Sequence, residues 1–425
     1  MNPIKKQFIG LSWTEIIFFL LMVIYATAIC WSNYLTSASI ILMSCLILFT
    51  KKPSSSLPFN INSNIIDHLN LLKKEYFLCS MILVFLAVFL SGLWSEEYSD
   101  WYGYSRMKSP FLFLPILFII YGNVEKKFIY FILLMSLIAI GFNSIFVLIN
   151  YFGNYTEYNL NLLKGKPILT PISHIRYSLI IACSALILLH WIIEKWKFNF
   201  TWERAVYIIL FLYFILCIHI LSVKTGLLSL YVGILVYLSI YCLKYKLLKT
   251  YLSALGLMAL GIFLAFYFIP SLQQKYYYTL WQIGEFQRGK WIEYSDIERL
   301  LSIQLGFEIV KHYPILGSGM GDIKEITKQT YLECLNHPDY RLPHNQYIFS
   351  WAYCGILGFF SIIAMSLSGL FSQRAYKSPI IFSLQVALWI SFLFEATLET
   401  ELGTCIYLFY SLCGWMILKE SKHSH

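Results

Sequence analysis

Apolar runs long enough to cross roughly 30 Å of hydrocarbon recur from one end of this chain to the other. A chain built this way has lipid as its solvent, and each run satisfies its own backbone polar groups by forming a helix. Composition agrees: 58% of the 425 residues are hydrophobic and 13% are charged, about half the charged share of a soluble domain. The expected fold is an all-α polytopic membrane protein. Its spans are read at 14–32, 36–50, 76–94, 108–121, 128–150, 174–193, 204–221, 225–243, 250–269, 345–370, 379–394 and 402–418, approximately twelve transmembrane helices. The run at 108–121 is short and contains Pro110 and Pro115. The Met1–Gly10 head leads into a run too long for a signal h-region, so no cleaved leader is expected.

Short-loop lysines and arginines orient the bundle. With the N-terminus inside, one set of junctions collects Lys5 and Lys6, Lys51 and Lys52, Lys126 and Lys127, Lys195, Lys197 and Arg204, Lys244, Lys246 and Lys249, Arg374 and Lys377, and Lys419 and Lys422. The opposite junctions begin with the acidic SEEYSD and end with EATLETE. Both termini are therefore expected in the cytoplasm, and the net charge of +9 is a topological signal rather than a nucleic-acid footprint. Within 51–75, IIDHLNLLKKEYF mixes apolar and charged positions as a short interfacial helix does. Cys30, Cys45, Cys79, Cys183 and Cys217 lie inside apolar runs and read as small hydrophobes, not disulfides or ligands. Three regions follow within one integrated membrane domain: helices over 1–269, a 74-residue outer loop over 270–343, and helices over 344–425.

The loop holds the candidate chemistry. From Ile297 to Val310 the apolar spacing predicts an amphipathic helix suited to a membrane surface, ended by Pro314. Gly317, Gly319 and Gly321 follow in GSGMG, which lacks the Lys-Ser/Thr of a nucleotide loop and follows a helix, not a strand. Close backbone packing is its expected role. Arg299 sits beside Glu298, after Glu293 and Asp296. It is either a local ion pair or a diphosphate contact, for which its rigid fork is suited. Arg288 and Lys290 read as solvated charge.

Arg176 begins a span, and Lys224, in SVKTGLL, occupies a very short outer turn. A charge held so near hydrocarbon either snorkels to the interface or has a partner or substrate. His190 and His219 read as packed histidines. His344 follows the loop; with an ordinary pKa of about 6.5 it can take a proton from a hydroxyl. Pro343 fixes the approach to the next helix, and Asn345 caps that helix or orients the histidine. Without HExxH, a Cys/His cluster or a loop DxD pair, neither metal nor cofactor is expected.

LSIQLGFEIVKHYPILGSGMGD followed by LPHNQYIFSWAYCGILGFF resembles the signature region of the O-antigen ligase and polymerase superfamily. The matching positions are Arg299, Pro314, Gly317, Gly319, His344, Asn345, Gly355 and Gly358. The resemblance implies a helical bundle with a large periplasmic loop over an outward-facing cavity in the bacterial inner membrane. It also implies an enzyme that acts on glycans carried by undecaprenyl diphosphate, without ATP. Ligases of this kind pass the glycan to lipid A-core, polymerases join repeat units, and others glycosylate proteins. Carried over, His344 is the base or acceptor-orienting residue and Arg299 a diphosphate contact. SVKTG resembles an S-R-S/T-G element, with Lys224 in place of the arginine; Arg176 joins the diphosphate group by position alone. The entry to HNQYIFSWAYCGILG is more ligase-like. The competing class is a transporter or lipid flippase, which the many spans alone would allow.

Overall fold

A computed structural model gives the fold and describes residues 12–50, 60–61, 65–289 and 296–423. Lys5, Lys6, Lys51, Lys52, Lys290, Glu293 and the Lys422 side chain lie outside these residues. Apart from a two-residue pairing of Phe49–Thr50 with Asn60–Ile61, the regular structure is helical. The first half runs α1 (Trp13–Ala28), α2 (Asn33–Cys45), α3 (Ile65–Leu72), α4 (Tyr76–Leu90), α5 (Tyr98–Lys108), α6 (Pro110–Tyr121), α7 (Lys126–Gly153), α8 (Tyr155–Leu162) and α9 (His174–Ile193). The second runs α10 (Glu203–Leu221), α11 (Lys224–Tyr245), α12 (Leu248–Phe268), α13 (Pro270–Gln287), α14 (Asp296–His312), α15 (Ile323–Leu335), α16 (Gln346–Phe371), α17 (Pro379–Phe394) and α18 (Glu401–His423).

Eight helices among the described residues are long and apolar enough to cross a membrane: α4 with the turn after it, α7, α9, α10, α11, α12, α16 and α18. Every one of the twelve apolar runs holds a helix, but α1, α2 and α17 are shorter than that, and α6 has only 12 residues. At 1.5 Å per residue a full crossing takes about 20 residues. The run read at 108–121 is also cut at its start. Pro110 opens α6, while Lys108 ends α5, fully buried with its ammonium 2.9 Å from Glu399.

Two helices form the axis of the bundle. The apolar window of α9 is 78% buried and that of α18 is 83% buried. Around them α9 packs on α10 and α11, α11 runs along α17, and α16 lies against α4. By contrast, α12 buries none of its window and stays apolar. Leu257, Phe263 and Phe268 face outward there, a surface only an apolar solvent makes inexpensive. The chain is a multi-pass membrane protein.

The described residues of 270–343 form three helices, α13 to α15, where the sequence spacing predicted one. The apolar face of α14 is covered by protein: Ser302, Leu305, Gly306, Ile309 and Val310 are buried, and the helix packs on α15 and α16. A Cβ at Gly306 would sit 2.8 Å from the Pro343 ring, so the α14 backbone and the Pro343–His344 segment are in close contact.

The GSGMG turn has a packing role. Gly355, at φ 60° and ψ −149°, breaks α16 in a conformation essentially reserved for glycine. The break frees carbonyls that would otherwise be unsatisfied at membrane depth. Ser318 N–H donates to the Ala352 carbonyl at 2.8 Å and Gly319 N–H to the Tyr353 carbonyl at 3.0 Å, while Ile356 N–H returns a 3.0 Å bond to the Ile315 carbonyl. Met320 N–H and Gly321 N–H bond the Ser91 and Ser95 hydroxyls. These amides are engaged and cannot cradle a phosphate.

Gly317, at φ 76°, completes the seam. A Cβ there would meet backbone atoms of Tyr353, Cys354 and Gly355 at 2.4–2.6 Å, with no flexible side chain to yield. Gly317→Ala is therefore expected to lose about 2–4 kcal/mol from left-handed strain and overpacking. Gly103→Ala, whose Cβ meets nothing within 4 Å, serves as the control. Thermal unfolding in detergent should separate the two, and equal midpoints would show that the seam carries no stability.

Candidate functional site

His344, Arg299, Arg176 and Lys224 come together at one end of the bundle, on the segments that lead into or leave its long helices. Arg299 lies one turn before Ser302 on α14, and the Ser302 hydroxyl donates to the Arg299 carbonyl at 2.7 Å. The same oxygen receives the His344 backbone N–H at 3.1 Å and lies 3.2 Å from His344 Nδ1. A hydroxyl has one proton to donate and two lone pairs. With its proton on Arg299, Ser302 is satisfied in full when Nδ1 carries the histidine proton. Nε2 is then left as an acceptor.

Asn345 is the helix cap. Its side-chain oxygen accepts from Tyr347 N–H and Ile348 N–H at 3.0 and 3.1 Å, and its amide donates to the Leu393 carbonyl at 3.0 Å. The asparagine thus anchors the start of α16 to the end of α17, while Ser302 holds the imidazole.

The acids near Arg299 in sequence pair elsewhere. Asp296 receives Lys224, and Glu298 lies 3.0 Å from Arg341 Nε. Arg299 reaches across to Glu395, with 2.8 Å between Nη1 and Oε1. That oxygen has no well-aligned hydrogen bond, so the contact is ionic. Glu395 is only 7% exposed in its side chain. Burial raises its pKa, and the charges of Arg299 and Arg176 oppose the rise. Among the described residues Arg176, 6% exposed, bonds only neutral groups: the Thr400 hydroxyl at 3.3 Å and the Ala396 carbonyl at 3.4 Å. Two guanidiniums therefore face one carboxylate, a positive surplus in a region that is largely dry.

Burial pushes the His344 pKa down to about 4, and the Arg299 charge adds to the shift. The imidazole is accordingly neutral throughout the physiological range. It lies in the shared wall of two cavities, one of about 500 Å³ and one of about 830 Å³. Arg299 and Lys224 line the first, while Arg176 and Glu395 line the second and a third of about 610 Å³. The largest of the described cavities, about 1060 Å³, lies away from these groups beside the Gly317 turn. Glu96, Glu97, Asp100, Asp322 and Glu325 line it, a charge unsuited to a diphosphate.

Other predicted residues have structural partners. His190 Nδ1 is 3.0 Å from the Tyr237 hydroxyl, His219 bonds the Ile215 carbonyl and Tyr231, and the exposed Arg288 pairs with Glu285 one turn away. All ten cysteines are unpaired. Several residues of the site escaped the sequence reading. Glu395 and Glu399 stood in EATLETE, where they served only as a sidedness signal, and Ser302 carried no motif, nor did His174 and Lys275, which line the cavity of about 500 Å³. Glu399 belongs to a supporting network: besides Lys108 it accepts from Gln346 at 2.7 Å and Tyr353 at 3.0 Å, tying the start of α16 to the α17–α18 connection.

The result is a cation-rich polar site around the His344 imidazole at one end of a multi-pass bundle. Residues 209–363 match the family model described as O-antigen ligase, which places this segment in the O-antigen ligase-like superfamily. The matched segment holds Lys224, Arg299, the Gly317 turn and His344, and the family is of glycan-transferring ligase or polymerase type with lipid-linked glycan substrates. No curated protein matches the chain.

Proposed function

We propose that this protein transfers a glycan from undecaprenyl diphosphate to a hydroxyl of lipid A-core. In this reading it works at the periplasmic face of the bacterial inner membrane, with twelve crossings, both termini cytoplasmic and residues 270–343 outside. The observation that carries the reading is the placement of the His344 imidazole, one serine hydroxyl away from the Arg299 backbone and set in the wall between two cavities. An acceptor hydroxyl gives its proton to His344 Nε2 as its oxygen bonds the anomeric carbon. The bond from that carbon to the diphosphate breaks, inverting the centre, and Arg299, Lys224 and Arg176 hold the departing diphosphate.

Bringing the donor diphosphate to Arg299 offsets a charge that depresses the His344 pKa. The base thus strengthens when its substrate arrives. Neither nucleotide nor metal enters this scheme.

The test is transfer by purified protein given lipid-linked glycan and lipid A-core, with nucleotide omitted and metal chelated. Strict dependence on a nucleotide sugar rejects the reading. Loss of the gene should leave polymerised glycan on its polyprenyl carrier. Single-repeat material on the core would instead assign the polymerase reaction.

A further inference from the structure

The cavity of about 500 Å³ beside His344 is lined by six cationic side chains and two carboxylates. Both carboxylates are already engaged, Asp296 by Lys224 and Glu298 by Arg341. Lys275, on α13, has no carboxylate partner among the described residues. Its ammonium meets only the Gly165 carbonyl, at 3.5 Å, and stands 5.5 Å from the centre of the Tyr278 ring. Lys224 comes to the same place from the start of α11. It donates to Thr279 at 2.6 Å, and Thr279 bonds back to the Lys275 carbonyl at 2.9 Å. With Thr279 and Asp296 both engaged, one of the three Lys224 N–H groups is left for a ligand. An arginine there would present a fork, which a single ammonium lacks.

We propose that Lys224 and Lys275 together form a two-ammonium seat for the donor diphosphate, Lys275 supplying the second donor position that an arginine at 224 would supply alone. The inference rests on the donor reading above. Burial lowers the Lys275 pKa; Asp296 opposes that, while the Lys224 and Arg299 charges add to it. An anion seated among these three cations relieves their mutual repulsion, and Lys275 has free N–H groups to meet it.

The experiment measures binding of undecaprenyl diphosphate and undecaprenyl monophosphate to the full chain in lipid nanodiscs. Lys275→Met is expected to weaken diphosphate binding about 10-fold or more, the scale of one charged hydrogen bond, with a much smaller effect on monophosphate. Lys275→Arg should retain binding. Lys224→Arg, placed in the Lys275→Met background, should recover part of the loss because the fork restores the second donor.

Wild-type diphosphate affinity in K275M overturns the proposal, as does a double variant no better than K275M. Should K275M not insert, equal affinities of K275Q and K275R overturn it on the same measurement. A wild-type protein without preference for diphosphate over a neutral polyprenol would defeat the donor reading itself, a separate result.

Discussion

His344→Ala is expected to insert and bind lipid-linked donor normally, yet to lose transfer by about 10²-fold or more, the usual scale of general-base catalysis. The helix cap beside it is Asn345, so removing the imidazole leaves the start of α16 held. His344→Gln keeps a hydrogen-bonding group near Ser302 but cannot accept the proton, and should fail as well. Turnover at saturating donor and acceptor is the measurement; near-normal turnover in H344Q would reduce His344 to an orienting contact. The pH profile gives an independent reading. A pKa lowered from about 6.5 to about 4 means the neutral base persists until pH falls through about 4. The acid limb of kcat/KM, which reports the free enzyme, should lie near there, and that of kcat, which reports the donor complex, at higher pH. The stability linked to the neutral imidazole has the same sign, being full above about 6.5 and lost on the way down to about 4.

Arg299→Ala should abolish most transfer, but the single variant mixes two effects. It removes a diphosphate contact, and it leaves the buried Glu395 carboxylate facing Arg176 alone. The double variant Arg299→Ala, Glu395→Gln removes both charges. Stability in detergent is expected to hold better in R299A, where Glu395 still faces Arg176, than in the double variant, which leaves the buried Arg176 guanidinium facing no carboxylate, since an uncompensated buried charge is the costly state. Transfer should stay about 10²-fold down in both, because two charged hydrogen bonds to phosphate remain missing. R299K should keep part of the activity, through charge without the fork. A double variant that transfers at the wild-type rate would make Arg299 a counterion of Glu395 and nothing more.

Helix placement was legible because apolar length is a local property: every one of the twelve runs holds a helix. Whether a helix is long enough to cross was harder to read, since α6 is cut short where Pro110 follows Lys108. The GSGMG turn was legible as a close-packing device, but its partner was not. The break at Gly355 lies 36 residues further on, inside what reads as one uninterrupted span. Arg299 and His344 stood out through their motif, whereas Glu395 did not. An acidic residue near the end of a span looks the same whether it faces water or an arginine, and only the tertiary approach of Arg299 to Glu395 decides. Lys275 was hidden for the same reason: what sets it apart is a missing partner, which no sequence displays.

The seam between the GSGMG turn and α16 bears on how the proposed substrate would reach the site. Ser318, Gly319 and Ile356 exchange backbone bonds across it, and the Trp351 indole donates to the Pro314 carbonyl at 3.0 Å. Lifting the loop would strip partners from all of these groups together, at about 1–3 kcal/mol for each one left buried and unpaired. The GSGMG turn after α14 is thus riveted to α16 and does not serve as a hatch. Under the proposed function, a glycan many sugars long would have to enter from the side and leave its far end in solvent. In that reading only the diphosphate and the first sugar would be gripped, and chain length would place no demand on the protein. A protein of fixed size would in this way handle cargo far larger than itself.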